Sequence, residues 1–151
     1  MNGSHGRSGS TSAAPIGGSG IVSRADTDAW ISAYERAWRT PGTEPLKELF
    51  AVDATYRMSP YQEPAVGLAE IAELWERERR GADEPFEMSH EIVAIDGRTA
   101  VVRVEVRYGE PRPAEYRDLW IVRFGDDGRC REFEEWPFWP GRQITPEEEQ
   151  R

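Results

Sequence analysis

The sequence has almost no cysteine, lysine or histidine, and each shortage excludes classes of protein. Cys130 is alone, so the chain can form no internal disulfide, and no cysteine cluster offers a metal site. A reducing cytoplasm fits this composition, and no apolar run approaches the roughly 20 residues of a membrane span. Lys47 is the only lysine and the net charge is −9, which disfavours a nucleic acid or an anionic membrane as partner because both require a basic surface.

What the chain does have is enough length for one domain, placed between two polar tails. Its 151 residues match the usual size of a single domain with a real core. Residues 1–23 are rich in glycine and serine, which predicts a disordered tail because such a segment buries too little apolar surface to fold. Residues 142–151 are acidic and are expected to fray. The folded domain is therefore predicted over residues 24–141.

The first part of this domain has the pattern of helices. Trp30, Tyr34 and Trp38 recur every four residues, which predicts one wide apolar face on a first helix. Asp26 or Thr27 is the predicted N-cap of that helix. Four further features are predicted after it: a short helix capped by Thr43 and reaching Phe50, a strand at residues 54–60, a proline-broken corner at 61–67, and a third helix at 68–80.

After Gly81 the apolar period changes from four to two, which indicates strands. The Asp-Gly pairs at residues 96–97 and 127–128 are typical of hairpin turns. Three helices with one early strand, followed by a meander of long strands, predict an α+β domain. We expect one curved antiparallel sheet with the three helices on its concave face. The four long strands are predicted at residues 86–95, 99–108, 116–124 and 130–138.

Three local signatures, in this order, resemble the nuclear transport factor 2-like (NTF2-like) superfamily and, within it, the SnoaL-like proteins. They are LFAVDATYR after the second helix, Gly67 before the third helix, and FGDDGRCREFEEW at the end of the sheet. The resemblance covers roughly residues 26–141. It implies a cone-shaped fold with a pocket, and commonly a homodimer through the sheet. Members of this superfamily include isomerases, cyclases, dehydratases and epoxide hydrolases, and many members are not known to catalyse anything.

Within this superfamily the chain is most usefully compared with ketosteroid isomerase, to which it is similar from Tyr34 to Phe50 and beyond. The resemblance places that family's oxyanion-donating tyrosine at Tyr34. It places the general-base aspartate at Met58, and the second, protonated aspartate near Trp120, two residues after Asp118. A methionine cannot abstract a proton. The resemblance therefore implies the pocket and argues against steroid isomerisation.

Asp118 is the best candidate for acid/base chemistry. Strand parity places it on an apolar face, where loss of hydration raises the pKa of a carboxyl group towards neutrality. The alternative is a structural ion pair with one of the 18 arginines. The residues that share its face are Tyr116, Trp120, Val122 and Phe124.

His90 is the second candidate, because it shares parity with Phe86, Met88 and Ile92. A histidine beside an inward carboxylate such as Asp118 would form an acid/base dyad. The alternative is a hydrogen-bonded core histidine.

The remaining candidates are predicted to bind a ligand. Glu135 shares its strand with Phe133 and could reach the cone mouth, although a solvated rim carboxylate is the favoured interpretation. An aromatic and apolar set could line the pocket or simply form the core, since in a cone fold the open end of the core is the pocket. That set is Tyr34, Trp38, Tyr56, Met58, Trp75 and Trp120.

The sequence thus predicts a cytoplasmic SnoaL-like protein that binds a small apolar organic molecule and needs no metal or other cofactor. If it is an enzyme, we expect isomerisation, cyclisation or dehydration by acid/base catalysis involving Asp118, His90 and Tyr34. The alternative is a non-catalytic ligand-binding or dimerisation module. Met58 favours the alternative, and Asp118 favours the enzyme. Trp136, Phe138 and Trp139 are predicted to form a C-terminal lid or part of a dimer contact.

Overall fold

The computed structural model describes residues 20–79, 81 and 83–142. Of the tails predicted at residues 1–23 and 142–151, residues 1–19 and 143–151 lie outside the described residues, as does Arg80, the predicted last residue of the third helix. The helices are α1 (Arg24–Trp38), α2 (Leu46–Leu49) and α3 (Gly67–Glu78). The strands are β1 (Phe50–Arg57), β2 (Ala65–Val66), β3 (Phe86–Asp96), β4 (Thr99–Tyr108), β5 (Ala114–Phe124) and β6 (Cys130–Phe138).

The six strands form one curved, unclosed sheet in the order β2-β1-β6-β5-β4-β3. The long strands β3 to β6 pair antiparallel, as the alternating pattern and the hairpin turns predict. The predicted α+β fold is confirmed, with one correction: β1 pairs with β6 in parallel. The chain leaves β1, crosses through α3 to the opposite edge of the sheet, and returns by the meander. It therefore brings β6 alongside β1 in the same direction, which only a long crossover connection allows.

Two predicted helix boundaries are wrong by a few residues. The N-cap of α1 is Ser23, whose hydroxyl accepts from the Asp26 N–H at 2.9 Å while the Asp26 carboxylate accepts from the Ser23 N–H at 3.1 Å. This reciprocal capping box outcompetes a start at Asp26 or Thr27. Phe50 does not extend α2, because its backbone is extended and it begins β1 opposite Cys130.

The predicted corner contains the short strand β2, which pairs with β1 through Thr55 and Val66. Helix α3 begins directly after it at Gly67, whose φ of +85° lies in the left-handed region that favours glycine. The early strand therefore ends in a tight reversal that returns α3 across β1. This reversal fixes one wall of the cone.

An aromatic cluster fills the closed end of the cone. Trp30 donates its indole N–H to the Leu49 carbonyl at 2.9 Å. Its ring lies 5.7 Å from that of Phe50 and 5.6 Å from that of Phe133, measured between ring centroids. The apolar face predicted for α1 thus packs on the sheet, and the space left towards the open end is the cavity described below. Other fully buried members of this core are Ile31, Leu46, Ile71, Val102, Val104, Trp120 and Val122.

Candidate active site

A cavity of about 1170 Å³ occupies the open end of the cone, between α1, α3 and the sheet. Its wall is rich in aromatic side chains, and its floor carries two carboxyl groups, Asp118 and Glu135. A cavity of this size accommodates a drug-sized organic molecule. The structure places eight predicted site residues on its lining: Tyr34, Trp38, Tyr56, Met58, Trp75, Asp118, Trp120 and Glu135.

Asp118 is buried on β5, with 7% of its surface exposed. Its Oδ1 atom is enclosed and has no hydrogen-bond partner among the described residues. Burial, and then the negative charge of the neighbouring Glu135, raise the pKa of Asp118 to about 8. Within the described part of the chain no arginine forms an ion pair with Asp118, so the alternative of a structural arginine pair finds no support.

Glu135 reaches the same floor from β6. Trp120 lies directly opposite it in the β5–β6 register, and Asp118 is two residues away on the same face of β5. This diagonal brings the two side chains together. Burial raises the pKa of Glu135, although a hydrogen bond from Tyr56 opposes the shift. The favoured interpretation of Glu135 as a solvated rim carboxylate is therefore wrong.

Two tyrosine hydroxyls connect α1 and β1 to this carboxyl pair. Tyr56 donates to the Glu135 carboxylate through a short hydrogen bond. The hydroxyl oxygens of Tyr34 and Tyr56 are 2.9 Å apart. Because Tyr56 has only one hydroxyl proton and gives it to Glu135, Tyr34 is the donor in the bond between the tyrosines. Burial, followed by the charge of Glu135, raises the pKa of both phenols, so both keep their protons at neutral pH.

This arrangement changes the predicted role of Tyr34. We expected its hydroxyl to donate to an oxyanion, but the proton is directed to Tyr56. The donor that remains for a ligand oxygen is the protonated carboxyl of Asp118. Two close buried carboxyl groups share one proton near neutrality, because two adjacent negative charges repel. Since Glu135 accepts from Tyr56, the proton is assigned to Asp118.

The structure does not form the predicted dyad of His90 and Asp118. His90 is exposed on β3, and its Nε2 lies 2.7 Å from Oδ1 of Asp28 on α1. Its strand parity is as expected, since the side chain meets the helix layer. However, β3 is the outermost strand of the sheet, and His90 is not part of the cavity lining.

Other residues of the lining were not among the predicted site residues, and three of them bear directly on the site. Tyr108, at the end of β4, accepts a hydrogen bond from the Trp38 indole at 3.1 Å. Glu78 ends α3, and its negative charge contributes to the raised pKa of Glu135. Trp139 follows β6 and is half-exposed at the cavity mouth. The alternation of β4 places Tyr108 on the inward face and could have identified it. Glu78 and Trp139 depend on where α3 and β6 end.

In residues 20–79, 81 and 83–142, no group of three or more His, Cys, Asp or Glu side chains could hold a metal ion. No helix in that same part of the chain is long and apolar enough to cross a membrane.

Comparison with known proteins identifies a family for most of the chain. The family model of the SnoaL-like domain matches residues 31–133, which include the second half of α1, all of α2 and α3, the early strand and most of the sheet. A comparison with curated proteins found no match.

Solved structures share the fold at low sequence identity. A candidate ketosteroid isomerase from Kribbella flavida DSM 17836 is 20% identical, with a TM-score of 0.58 over 81% of this chain and 83% of that chain. A candidate SnoaL-like polyketide cyclase from Jannaschia sp. CCS1 is 13% identical, with a TM-score of 0.60 over 77% and 89%. SalBIII, an epoxide hydrolase/cyclase-like enzyme in pyran ring formation in the polyether salinomycin, is 14% identical, with a TM-score of 0.61 over 76% and 92%. These likenesses establish the NTF2-like cone architecture.

Proposed function

This chain belongs to the SnoaL-like domain family, and from that premise we propose that it catalyses cofactor-free proton transfer on a small, largely apolar organic molecule. The reaction class is isomerisation, cyclisation or dehydration. The observation that carries the proposal is the pair formed by the buried Asp118 and the half-buried Glu135 on the floor of the aromatic cavity. A carboxyl group with a pKa near the working pH is suited to both giving and taking a proton.

The pair supplies an acid and a base at once. Glu135, held ionised by Tyr56, removes a proton from a carbon next to a substrate carbonyl. The C–H electron pair forms a carbon–carbon double bond, and the carbonyl oxygen takes the proton of Asp118, which gives an enol. Where a carbon–carbon double bond adjoins the reacting carbon, Glu135 gives its proton to a different carbon of the resulting dienol, which completes an isomerisation. Where the neighbouring carbon carries a hydroxyl group, Glu135 instead protonates the departing hydroxide to water, which completes a dehydration. In both cases the enol O–H proton returns to Asp118, so both carboxyl groups regain their starting state.

The solved relatives support this reaction class by their descriptions. They name an isomerase, a polyketide cyclase and an enzyme of pyran ring formation, and isomerisation and cyclisation are among the reactions proposed for this chain. In this chain the acid and base lie on β5 and β6, whereas Met58 on the cavity wall cannot serve as a base. The proposed reaction therefore uses a pair of groups that differs from the catalytic set of ketosteroid isomerase.

A non-catalytic ligand-binding module is the second candidate, and Met58 is the observation that favours it. A cavity that only stores a ligand needs shape and apolar surface, which the aromatic wall provides. It does not need two carboxyl groups that share a proton. The two candidates therefore differ in whether Glu135 affects turnover or only binding.

We also propose that a second copy of the chain covers the convex face of the sheet, in the cytoplasm. Leu119, Ile121 and Trp136 form a half-buried apolar patch there, and Phe138 is 40% exposed at its edge. Charged pairs flank the patch, such as Arg123 with Glu134 at 3.3 Å. An apolar centre with a polar rim is the composition of a protein interface.

Hydrogen–deuterium exchange at carbon tests the catalytic proposal without knowledge of the natural substrate. Two small cyclic ketones, 2-tetralone and tropinone, would be incubated with the protein in D2O, and deuteration next to the carbonyl followed by mass spectrometry. We expect protein-dependent deuteration of at least one ketone, and a decrease of about 100-fold or more in Glu135→Gln. Glu134→Gln, on the opposite face of the same strand, is the matched control and should exchange at the wild-type rate. Exchange that is absent with both ketones, or unchanged in Glu135→Gln, would favour the binding module.

A further inference from the structure

The hydrogen bonds on the cavity floor leave acceptors facing a ligand. Tyr56 donates its hydroxyl proton in a hydrogen bond to Glu135, and Tyr34 donates its own to Tyr56. The carboxyl pair shares one proton, which Asp118 holds, and the enclosed Oδ1 atom of Asp118 has no hydrogen-bond partner among the described residues. Apart from that single proton, what the floor offers to an arriving ligand is carboxylate and phenol oxygens. Such oxygens are best matched by a positively charged N–H donor.

The charges on the cavity lining favour the same kind of ligand. Arg77 and Arg142 are its two cationic residues, and both are engaged. Arg77 lies 3.9 Å from the Glu78 carboxylate, and Arg142 lies over the Phe138 ring, 4.4 Å from its centroid. Clefts with low-dielectric walls focus the field of one sign and concentrate ligands of the opposite sign. The carboxylates that outnumber these two cations are Glu63, Glu78, Glu115, Asp118 and Glu135.

The aromatic wall is a third feature that favours a positively charged ligand. The rings of Tyr34 and Trp38 stack at 6.4 Å, and the Trp75 ring lies 4.9 Å from each of them. Aromatic faces attract ammonium groups through their quadrupoles, and the attraction increases when water is excluded. All three rings line the cavity that contains the carboxyl pair.

We infer that the ligand is a protonated amine with an apolar body, held with its nitrogen at Asp118 and Glu135 and its body against Trp38 and Trp75. This inference rests on the proposed function, since it assigns the substrate class of the same site. It also predicts how binding depends on pH. The carboxyl pair carries one negative charge at neutral pH and two once Asp118 is ionised. A cation therefore binds more tightly as the pH rises through about 8, whereas a neutral carbonyl that accepts the proton of Asp118 binds less tightly.

Calorimetric titration with four small probes tests the inference. The probes are N,N-dimethylbenzylammonium, which has an N–H donor, benzyltrimethylammonium, which has the charge alone, the neutral ketone acetophenone, and the anion phenylacetate. At about pH 6.5 we expect affinity to decrease in that order. Between about pH 6.5 and pH 8.5 the affinity for benzyltrimethylammonium, which does not titrate, should rise about threefold or more because the site gains a negative charge. Acetophenone or phenylacetate binding as tightly as the cations, or a cation affinity that does not change with pH, would overturn the inference.

Matched variants assign the effect to the named groups. Asp118→Asn should abolish the pH dependence of benzyltrimethylammonium binding, while Asp53→Asn, the same change at an exposed residue of β1, should preserve it. Trp38→Leu should weaken binding about threefold to tenfold. Trp136→Leu, which alters a tryptophan outside the cavity lining, should have no effect.

If neither cation binds but Asp118 still titrates near pH 8, only this inference fails and the proposed proton-transfer site stands. If Asp118 titrates at an ordinary carboxyl pKa, the proposed function itself fails.

Discussion

At the scale of single residues, burial disfavours the ionised form of Asp118 and raises its pKa. Its pKa is about 8 in the folded protein, compared with about 4 in an unfolded chain. Between these two pH values the folded state holds a proton that the unfolded state has released. The contribution of Asp118 to the free energy of unfolding therefore decreases as the pH rises from about 4 to about 8, and is constant outside that range.

Asp118→Asn should therefore stabilise the protein at pH 8 relative to pH 5. The amide keeps the shape of the side chain but has no proton to lose. We expect the difference in free energy of unfolding, variant minus wild type, to be about 1–3 kcal/mol larger at pH 8 than at pH 5. Urea unfolding at both pH values measures the difference. Asp53→Asn should show the same pH dependence as wild type, and an Asp118→Asn variant that does so too would contradict the raised pKa.

The residue scale also shows what the sequence could predict of the site. Strand alternation alone places Asp118 on the inward face and Glu135 on the strand beside it. It cannot place the two together, because their meeting depends on the β5–β6 register, which shifts between Arg123 and Phe124. His90 shows the same limit. The sequence predicts which face of β3 carries His90. It does not predict how far His90 lies from the cavity, because that depends on the strand order, which places His90 beside Asp28.

At the scale of elements, the reversal between β1 and α3 positions one cavity wall. Gly67 begins α3 with a φ of +85° and lies beside the β1–β2 pair. The sequence predicted this corner and the helix after it. It did not predict the two-residue strand β2, because strands this short have no alternation to detect. The start of β1 at Phe50 was missed because Phe50 also continues the apolar face of α2.

Gly67→Ala should destabilise the protein by about 1 kcal/mol or more, since an alanine at this φ is strained. Gly109→Ala is the matched control. That glycine has no positive φ and open space around its Cα, so its replacement should be neutral or slightly stabilising. Thermal unfolding of both variants measures the difference. Equal stabilities of the two variants would show that the left-handed conformation at Gly67 is not required.

At the scale of the whole molecule, the two faces of the one sheet have different roles. The concave face holds the helices and the cavity, and the convex face carries the apolar patch around Trp136. The sequence resembles a superfamily whose members commonly dimerise through the sheet, and this resemblance predicted the division. The residues of the patch could not be predicted, because they depend on the register of β5 and β6. Leu119 lies directly opposite Trp136 in that register.

Wild-type protein should sediment as a dimer at micromolar concentration, and Trp136→Glu should sediment as a monomer. A charge in the centre of an apolar contact is costly because it loses its hydration without gaining a partner. Val52→Glu introduces the same charge at an exposed residue of β1 and should leave the dimer intact. Circular dichroism of both variants verifies that they are folded. A monomeric wild type would refute the proposed interface and leave the cavity chemistry unaffected.

The central claim of the account is that Asp118 holds a proton at neutral pH because it is buried beside Glu135. A carbon-13 NMR titration of the side-chain carboxyl groups of aspartate tests it most directly. The account predicts one aspartate resonance that titrates near pH 8, disappears in Asp118→Asn, and moves to a lower pKa in Glu135→Gln, where the neighbouring negative charge is gone. If the Asp118 resonance titrates near pH 4 in the wild-type protein, as an ordinary aspartate does, the claim is contradicted.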